Sequence, residues 1–137
     1  MKRKLFFSLV LIAAFLVIGS IVLLLLGSWR ARTHAEMLCG AFPIESPFSV
    51  EEFAVKADKL GISVISIRPK SGERLLVGGD MWKAESIKQS ELEQLRSIDR
   101  KSPPGTAVGI AGFPIHYVCE IEYSNGHVIK NSRRSFD

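Results

Sequence analysis

The hydrophobic positions of this chain divide into one unbroken run near the N-terminus and shorter periodic patterns after it. The run, 5–26, is twenty-two residues long and contains no charged side chain. A helix rises about 1.5 Å per residue, so this run covers the ~30 Å hydrocarbon core of a bilayer with its backbone hydrogen bonds made internally. We therefore predict a transmembrane helix at 5–28, preceded by a basic tail at 1–4.

The Lys and Arg side chains beside the run predict its orientation. Three precede it and two follow it within a similar distance: Lys2, Arg3, Lys4, Arg30 and Arg32. The positive-inside rule then favours a cytoplasmic N-terminus and an extracytoplasmic C-terminal domain. The expected protein is a single-pass signal anchor of a cell (inner) membrane. The short chain and the absence of an N-x-S/T sequon favour a bacterial source and a periplasmic domain.

Two kinds of processing compete with a permanent anchor. Cleavage after Ala35 would use Thr33-His34-Ala35 as its site, although the apolar run exceeds the roughly 7–15 residues of a signal peptide. Lipid modification of Cys39 would need small residues before the thiol. Leu38 stands there instead, so a lipoprotein signal is disfavoured.

The net charge of +4 belongs to the predicted anchor and not to the domain beyond it. Five of the 18 basic residues flank the span, whereas all 14 acidic residues come at or after Glu36. Beyond Arg32 the chain therefore carries 13 basic and 14 acidic side chains. This balance leaves no basic stripe for a phosphate backbone, and we expect no nucleic-acid partner.

Two cysteines, Cys39 and Cys119, lie in the part of the chain predicted to be extracytoplasmic. In an oxidising compartment an even pair predicts a disulfide. It would close a loop of about 80 residues and contribute about 4 kcal/mol in the chain-entropy model. The alternative is a pair of unlinked thiols.

The first pattern after the span predicts a connector followed by a helix. We assign 29–48 to a juxtamembrane connector. Ser49 and Glu52 stand at the spacing of a capping box, and the apolar positions of 50–60 then fall on one helical face. Gly61 supplies the helix stop.

The middle of the domain predicts a hairpin and a second helix. Ile- and Val-rich 62–68 predicts an inner strand, 69–72 a turn and 73–77 its partner strand. The stretch 81–101 is helix-prone, with its clearest N-terminal signal at Ser90. Its apolar residues expected to face inward are Leu92, Leu95 and Ile98.

The last third predicts two further hairpin strands after a short strand at 106–111. Apolar and polar residues alternate through 113–123, which indicates a half-buried strand with the odd-numbered residues inward. The turn at 124–126 is predicted as a three-residue loop, because that loop places Ile129 opposite Ile121 on the core face.

Together these elements predict an α+β fold. A single N-terminal transmembrane helix is followed by a small α-β-β-α-β-β domain at 49–132, with an antiparallel sheet and its helices on one face, and by a tail at 133–137.

No pattern of catalytic, cofactor-binding or metal-ligating residues stands out, and we expect a protein that is not an enzyme. The three histidines are not expected to share an ion, because His34 lies beside the membrane and the predicted hairpin register places His116 and His127 far apart. Glu120 and Glu122 share one strand face, as catalytic carboxylates can, but that face is the outward one. We expect no cofactor and no metal.

The basic stretch 130–134 has two readings. It could contact anionic lipid headgroups or an acidic wall polymer, or its charges could protect an exposed edge strand from pairing.

The expected function is that of an accessory, assembly or inhibitory factor that binds another envelope protein, not identified by the sequence. The predicted binding surface comprises Trp82, Val118, Glu120 and Glu122. The alternative is a domain that binds a small ligand or the cell wall, with Trp82, Tyr117 and Tyr123 as stacking residues.

Overall fold

The computed structural model describes residues 2–62, 64–80, 83–84, 86–101, 103–112 and 115–136. Over these residues the chain forms three helices, α1 (Lys2–Gly40), α2 (Val50–Lys59) and α3 (Gln89–Lys101). It also forms seven strands: β1 (Val64–Pro69), β2 (Leu75–Val77), β3 (Gly79–Asp80), β4 (Lys83–Ala84), β5 (Gly105–Ala111), β6 (His116–Ser124) and β7 (His127–Phe136). A long apolar N-terminal helix followed by a small mixed domain confirms the predicted α+β class.

Five of the strands build one antiparallel sheet in the order β2-β1-β5-β6-β7, and β3 pairs with β4 as a separate hairpin. The prediction of a helix from position 81 is wrong at its start, since β4 lies there and α3 begins only at Gln89. The odd-numbered residues of β6 that face the core are buried as predicted: Cys119, Ile121 and Tyr123.

Helix α1 is longer than the predicted span and continues through the first part of the predicted connector, to Gly40. The stretch 29–39 contains neither glycine nor proline, so nothing in it opposes a helix. It also carries an apolar stripe at helical spacing, and each member is at most 7% exposed: Ala31, Ala35, Leu38 and Cys39. The last turns of α1 thus belong to the core of the domain.

The core lies between the helices and one face of the sheet. An aromatic cluster occupies its centre, with Phe42 and Phe53 essentially inaccessible to solvent. Neighbouring rings in this cluster lie 4.7–5.9 Å apart between centroids, and Tyr123 stacks on Phe48 at the short end of that range.

The predicted N-cap of α2, Ser49, is confirmed, but the second side chain that satisfies the start of the helix is Asp99 and not Glu52. The Ser49 hydroxyl accepts from the Glu52 amide at 3.2 Å. Glu52 does not reach back to complete the capping box and pairs with Lys56 at 2.8 Å. Instead, Asp99 of α3 accepts from the Ser49 hydroxyl at 2.7 Å, and from the amides of Val50 and Glu51 at 2.8 and 3.1 Å.

Helix α3 begins two residues earlier than its sequence signal. The Glu91 carboxylate accepts from the Lys88 amide at 2.7 Å, so Lys88 stands at the N-cap and Ser90 lies inside the first turn. The predicted inward residues are confirmed, with Leu95 fully buried and two others half-buried against the core: Leu92 and Ile98.

The β6–β7 turn corrects the predicted register. The loop has two residues, Asn125 and Gly126, with φ of 51° and 72°, as a type I′ turn requires. A bulge follows, because Tyr123 pairs with Val128 and Glu122 pairs with Lys130. Val128 is therefore buried.

Ile129 is the extra residue of this bulge. It is 56% exposed and does not oppose Ile121. The predicted three-residue loop is wrong because the two-residue turn is stable on its own. The bulge that follows this turn leaves Val128 on the core face, so a longer loop is not needed.

The Asp99 contacts predict a large effect of one substitution. Asp99→Ala leaves two amides and a hydroxyl at the start of α2 without their acceptor. We expect a loss of about 2 kcal/mol in the free energy of unfolding. Denaturant unfolding of the detergent-solubilised chain measures this loss. Glu93→Ala, at an exposed position of the same helix, is the matched control, and an equal effect of the two variants would contradict the role of Asp99.

Candidate functional site

The sheet has one face packed against helices and one that faces away from them. We call the second the outer sheet face. Register places two rows of directly paired residues on it: Ser66, Val108, Glu120 and Ser132 in one row, and Arg68, Thr106, Glu122 and Lys130 in the next.

Three of the four predicted binding residues lie on the outer sheet face. Glu120 and Glu122 are half-buried there, and each pairs with a basic residue of β7, at 3.8 Å to Arg134 and 3.1 Å to Lys130. Val118 is on the same face but only 7% exposed, so it offers a partner little area. Trp82 lies outside the described residues.

The basic part of this surface was not predicted from the sequence. The Arg74 guanidinium donates to the buried Ser66 hydroxyl at 2.7 Å. The Arg68 side chain is exposed and makes no hydrogen bond or ion pair within the described part of the chain. A groove of about 280 Å³ between them continues to Glu120. The signal was present as the alternation of Ser66 and Arg68 with the isoleucines of β1, which indicates one polar face.

The charges of the outer sheet face do not cancel. Both carboxylates have a cross-strand partner, and among the described residues no carboxylate on this face pairs with the two arginines from β1 and its following turn, Arg68 and Arg74.

Helix α1 is attached to the opposite face at close range. A Cβ at Gly109 would lie 2.7 Å from the Leu38 side chain, and one at Gly112 would lie 2.8 Å from that of Ala31. The absence of side chains on these glycines therefore lets the helix and the strand approach closely. Gly112 also has a φ of +97°, which L-residues rarely adopt.

The predicted disulfide is confirmed. Cys39 at the end of α1 is bonded to Cys119 of β6 across 80 positions of sequence, with a Cα–Cα distance of 5.5 Å. The Asn131 amide donates two further hydrogen bonds here, to the carbonyl of Cys39 at 2.7 Å and to that of Phe42, two residues past α1, at 2.8 Å. The end of the helix is thus joined to the sheet by one covalent bond and by hydrogen bonds from β7.

Within the described residues, α1 is the helix that is long and apolar enough to cross a membrane, by length and composition. Its mean hydropathy reaches 3.2 over 18 residues, and none of that window is buried by the rest of the protein. Ser28, just past the apolar run, shares a 2.9 Å hydrogen bond with the Tyr117 hydroxyl. The domain therefore begins to contact α1 immediately where its apolar stretch ends.

The two tyrosines considered for ligand stacking are engaged in the fold. Tyr123 is 4% exposed and stacks on Phe48 with 4.7 Å between ring centroids. Its hydroxyl has no hydrogen-bond partner among the described residues. Burial, with a smaller contribution from the charge of Asp99, raises the pKa of Tyr123 to about 12. Tyr117 is half-buried and bonded to Ser28.

The histidines bond to backbone near the ends of the β6–β7 hairpin. His116 Nδ1 lies 2.7 Å from the Gly112 carbonyl, and His127 Nδ1 lies 3.0 Å from that of Asn125. His34 lies on α1. Over the described ranges, no three His, Cys, Asp or Glu side chains come together as a metal ion would need.

Comparison with known proteins returned no relative. No family model matches this chain, and neither does any curated protein or any solved structure.

The unpartnered hydroxyl predicts an unusual effect of Tyr123→Phe. Near pH 7 the variant should be as stable as the parent or up to about 1 kcal/mol more stable, because it removes a buried polar group that has no partner. Tyr117→Phe is the matched control and should lose up to about 1 kcal/mol with its Ser28 hydrogen bond.

Tyr123→Phe also tests how the stability of the fold depends on pH. The folded pKa of Tyr123, about 12, exceeds the ordinary value of 10.0. The contribution of Tyr123 to stability is therefore complete below pH 10 and is lost as pH rises through 12. Unfolding curves from pH 9 to 12 should fall less steeply for Tyr123→Phe than for the parent, and parallel curves would contradict this assignment.

Proposed function

We propose that this protein is a single-pass membrane protein whose small domain acts as a non-catalytic docking module for another envelope protein. It would serve as an accessory, assembly or inhibitory factor. The observation that carries the proposal is the continuity of α1, which is both the candidate span and a core element of the domain.

A continuous helix fixes the distance between the domain and the membrane. A flexible tether lets a domain sample many heights and orientations. Here Ser28 contacts the sheet at one end of the buried segment and Cys39 is bonded to it at the other. Such an attachment suits a partner that presents its own surface at one height above the bilayer.

The orientation proposed is N-terminus inside and domain outside. The three basic residues of the short N-terminal tail support it through the positive-inside rule. The Cys39–Cys119 bond supports it independently, because disulfides persist in oxidising compartments such as the periplasm. An inner membrane of a bacterium is the location that suits both features.

The outer sheet face is the proposed docking surface. It is uncovered by the helices, carries paired charges across β6 and β7, and has two arginines in excess at β1. Polar surfaces of this kind are typical of non-obligate interfaces, in which charge sets the orientation and the rate of association. We expect the partner to contribute acidic side chains opposite Arg68.

The ligand-binding alternative draws no support from Tyr117 or Tyr123, since both are held in contacts within the fold. A non-catalytic role is favoured because the two histidines of the hairpin bond to backbone carbonyls at its opposite ends. Neither is placed to act with Glu120 as a base and orienting pair.

Site-specific photo-crosslinking in cells tests the docking surface. A photoreactive residue at position 68 or 122, on the outer sheet face, should yield a discrete adduct with one membrane or envelope protein. Positions 59 and 93, exposed on α2 and α3, are the matched controls and should yield none. Adducts from the helical positions alone, or from none of the four, would contradict the assignment.

Thiol labelling of intact cells tests the orientation. Both native cysteines are bonded and at most 2% exposed, so the side of the membrane has to be determined with an introduced cysteine. Ser71→Cys, in the exposed β1–β2 turn, should react with a membrane-impermeant maleimide before lysis. A cysteine inserted after Met1, which keeps the basic tail intact, should react only after lysis. The reverse pattern would invert the proposed topology.

A further inference from the structure

A second surface lies where α1 meets the ends of β6 and β7, beside the outer sheet face, with which it shares Val118 and Arg134. The chain leaves a groove of about 370 Å³ there, which we call the foot groove. The residues that matter for its chemistry come from all three elements: Arg32, Glu36, Tyr117, Arg133, Arg134 and Ser135. Arg32 and Arg133 are 101 positions apart in sequence, and only the fold brings them to one site.

The foot groove lies at the height of lipid headgroups if α1 spans a bilayer, as proposed above. Arg32 follows Leu26, the end of the apolar run, by six residues, which is about 9 Å along a helix. The headgroup layer of each leaflet is roughly 5–8 Å thick. An arginine side chain can extend back toward this layer while its stem stays on the protein.

The charges of the foot groove leave donors for an anion. The Arg133 side chain is exposed and makes no hydrogen bond or ion pair within the described part of the chain. Arg32 donates through Nε to Glu36 at 3.0 Å, an exposed pair of the kind that contributes little to stability. Arg134 faces Glu120 only at 3.8 Å.

We propose that the foot groove binds the phosphate of an anionic phospholipid headgroup, with Arg32 and Arg133 as its principal donors. The planar guanidinium presents paired N–H groups that match phosphate oxygens. Strand alternation places Ser135 on the same face as Arg133, where its hydroxyl adds a donor. The surplus of arginine favours a headgroup without a cationic amine. This inference rests on the proposed membrane span.

Native mass spectrometry of the full chain in detergent tests the headgroup preference. The chain is titrated separately with phosphatidylglycerol and phosphatidylcholine that carry identical acyl chains. We expect phosphatidylglycerol to bind at least fivefold more tightly, the effect of about one cation at an anionic surface. Equal affinity for the two lipids would overturn the proposal.

Variants assign the preference to the groove. Arg133→Gln should lower the affinity for phosphatidylglycerol about fivefold and leave phosphatidylcholine unchanged, and Arg32→Gln should act in the same way. Arg100→Gln, at an exposed arginine of α3 outside the groove, is the matched control and should bind like the parent. A parent-like Arg133→Gln would overturn the site.

Two further experiments are needed. One distinguishes a lipid headgroup from a free phosphate as the ligand, and the other tests whether α1 spans a membrane. Soluble glycerol phosphate at the lipid concentration should not displace the lipid, and displacement would make a free anion the ligand and overturn the lipid assignment. Alkaline carbonate extraction of membranes from cells that express the chain tests whether the protein is inserted in the bilayer. Extraction-resistant protein with unselective lipid binding would overturn the foot groove alone, whereas extractable protein would overturn the span.

Discussion

The close packing of the last turns of α1 on the sheet is the constraint on which the rest of this structure depends. The interface works because two glycines face side chains of the helix, Gly109 of β5 against Leu38 and Gly112, directly after β5, against Ala31. The disulfide between Cys39 and Cys119 then holds the end of the helix to β6. Without this helix the inner face of β5 and β6 would be exposed to water, and a domain of about 100 residues has little core to spare.

The segment after α1 extends the same constraint to the edge of the sheet. Edge strands expose unpaired backbone groups, which natural proteins cover or charge. Here the connector covers the start of β7, since the Glu45 amide donates to the Val128 carbonyl and the Val128 amide donates to that of Ser46. Phe42 and Phe48 then bring the chain back into the aromatic cluster before α2 begins. Of the two sheet faces, the outer one is consequently left uncovered by helices.

The accuracy of the sequence-based predictions follows the range of the interactions involved. Ser49 and Gly61 mark the ends of α2 because a cap and a left-handed stop are local. The same is true of the alternation in β6. The connector was not predicted as helix because its stability comes from burial against a sheet far along the chain. Asp99 was likewise invisible as a cap for α2, since it lies 50 positions from Ser49. Of the candidate site, the glutamates of β6 were predicted by alternation, whereas Arg68 was missed because 62–68 was predicted as an inner strand from its Ile and Val content.

The two proposed surfaces, the foot groove and the outer sheet face, would restrict different motions of the domain relative to the membrane. A single span sets the height of a domain but leaves it free to tilt and to turn about the helix axis. Contacts at the foot groove would oppose tilt, because Arg32 and Arg133 come from elements on either side of the groove and both would have to leave the headgroups together. Rotation is unaffected by such contacts, since lipids are the same in every direction. The outer sheet face therefore has to find its partner by turning, and a surplus of positive charge at Arg68 and Arg74 supplies the long-range attraction that would bias that search.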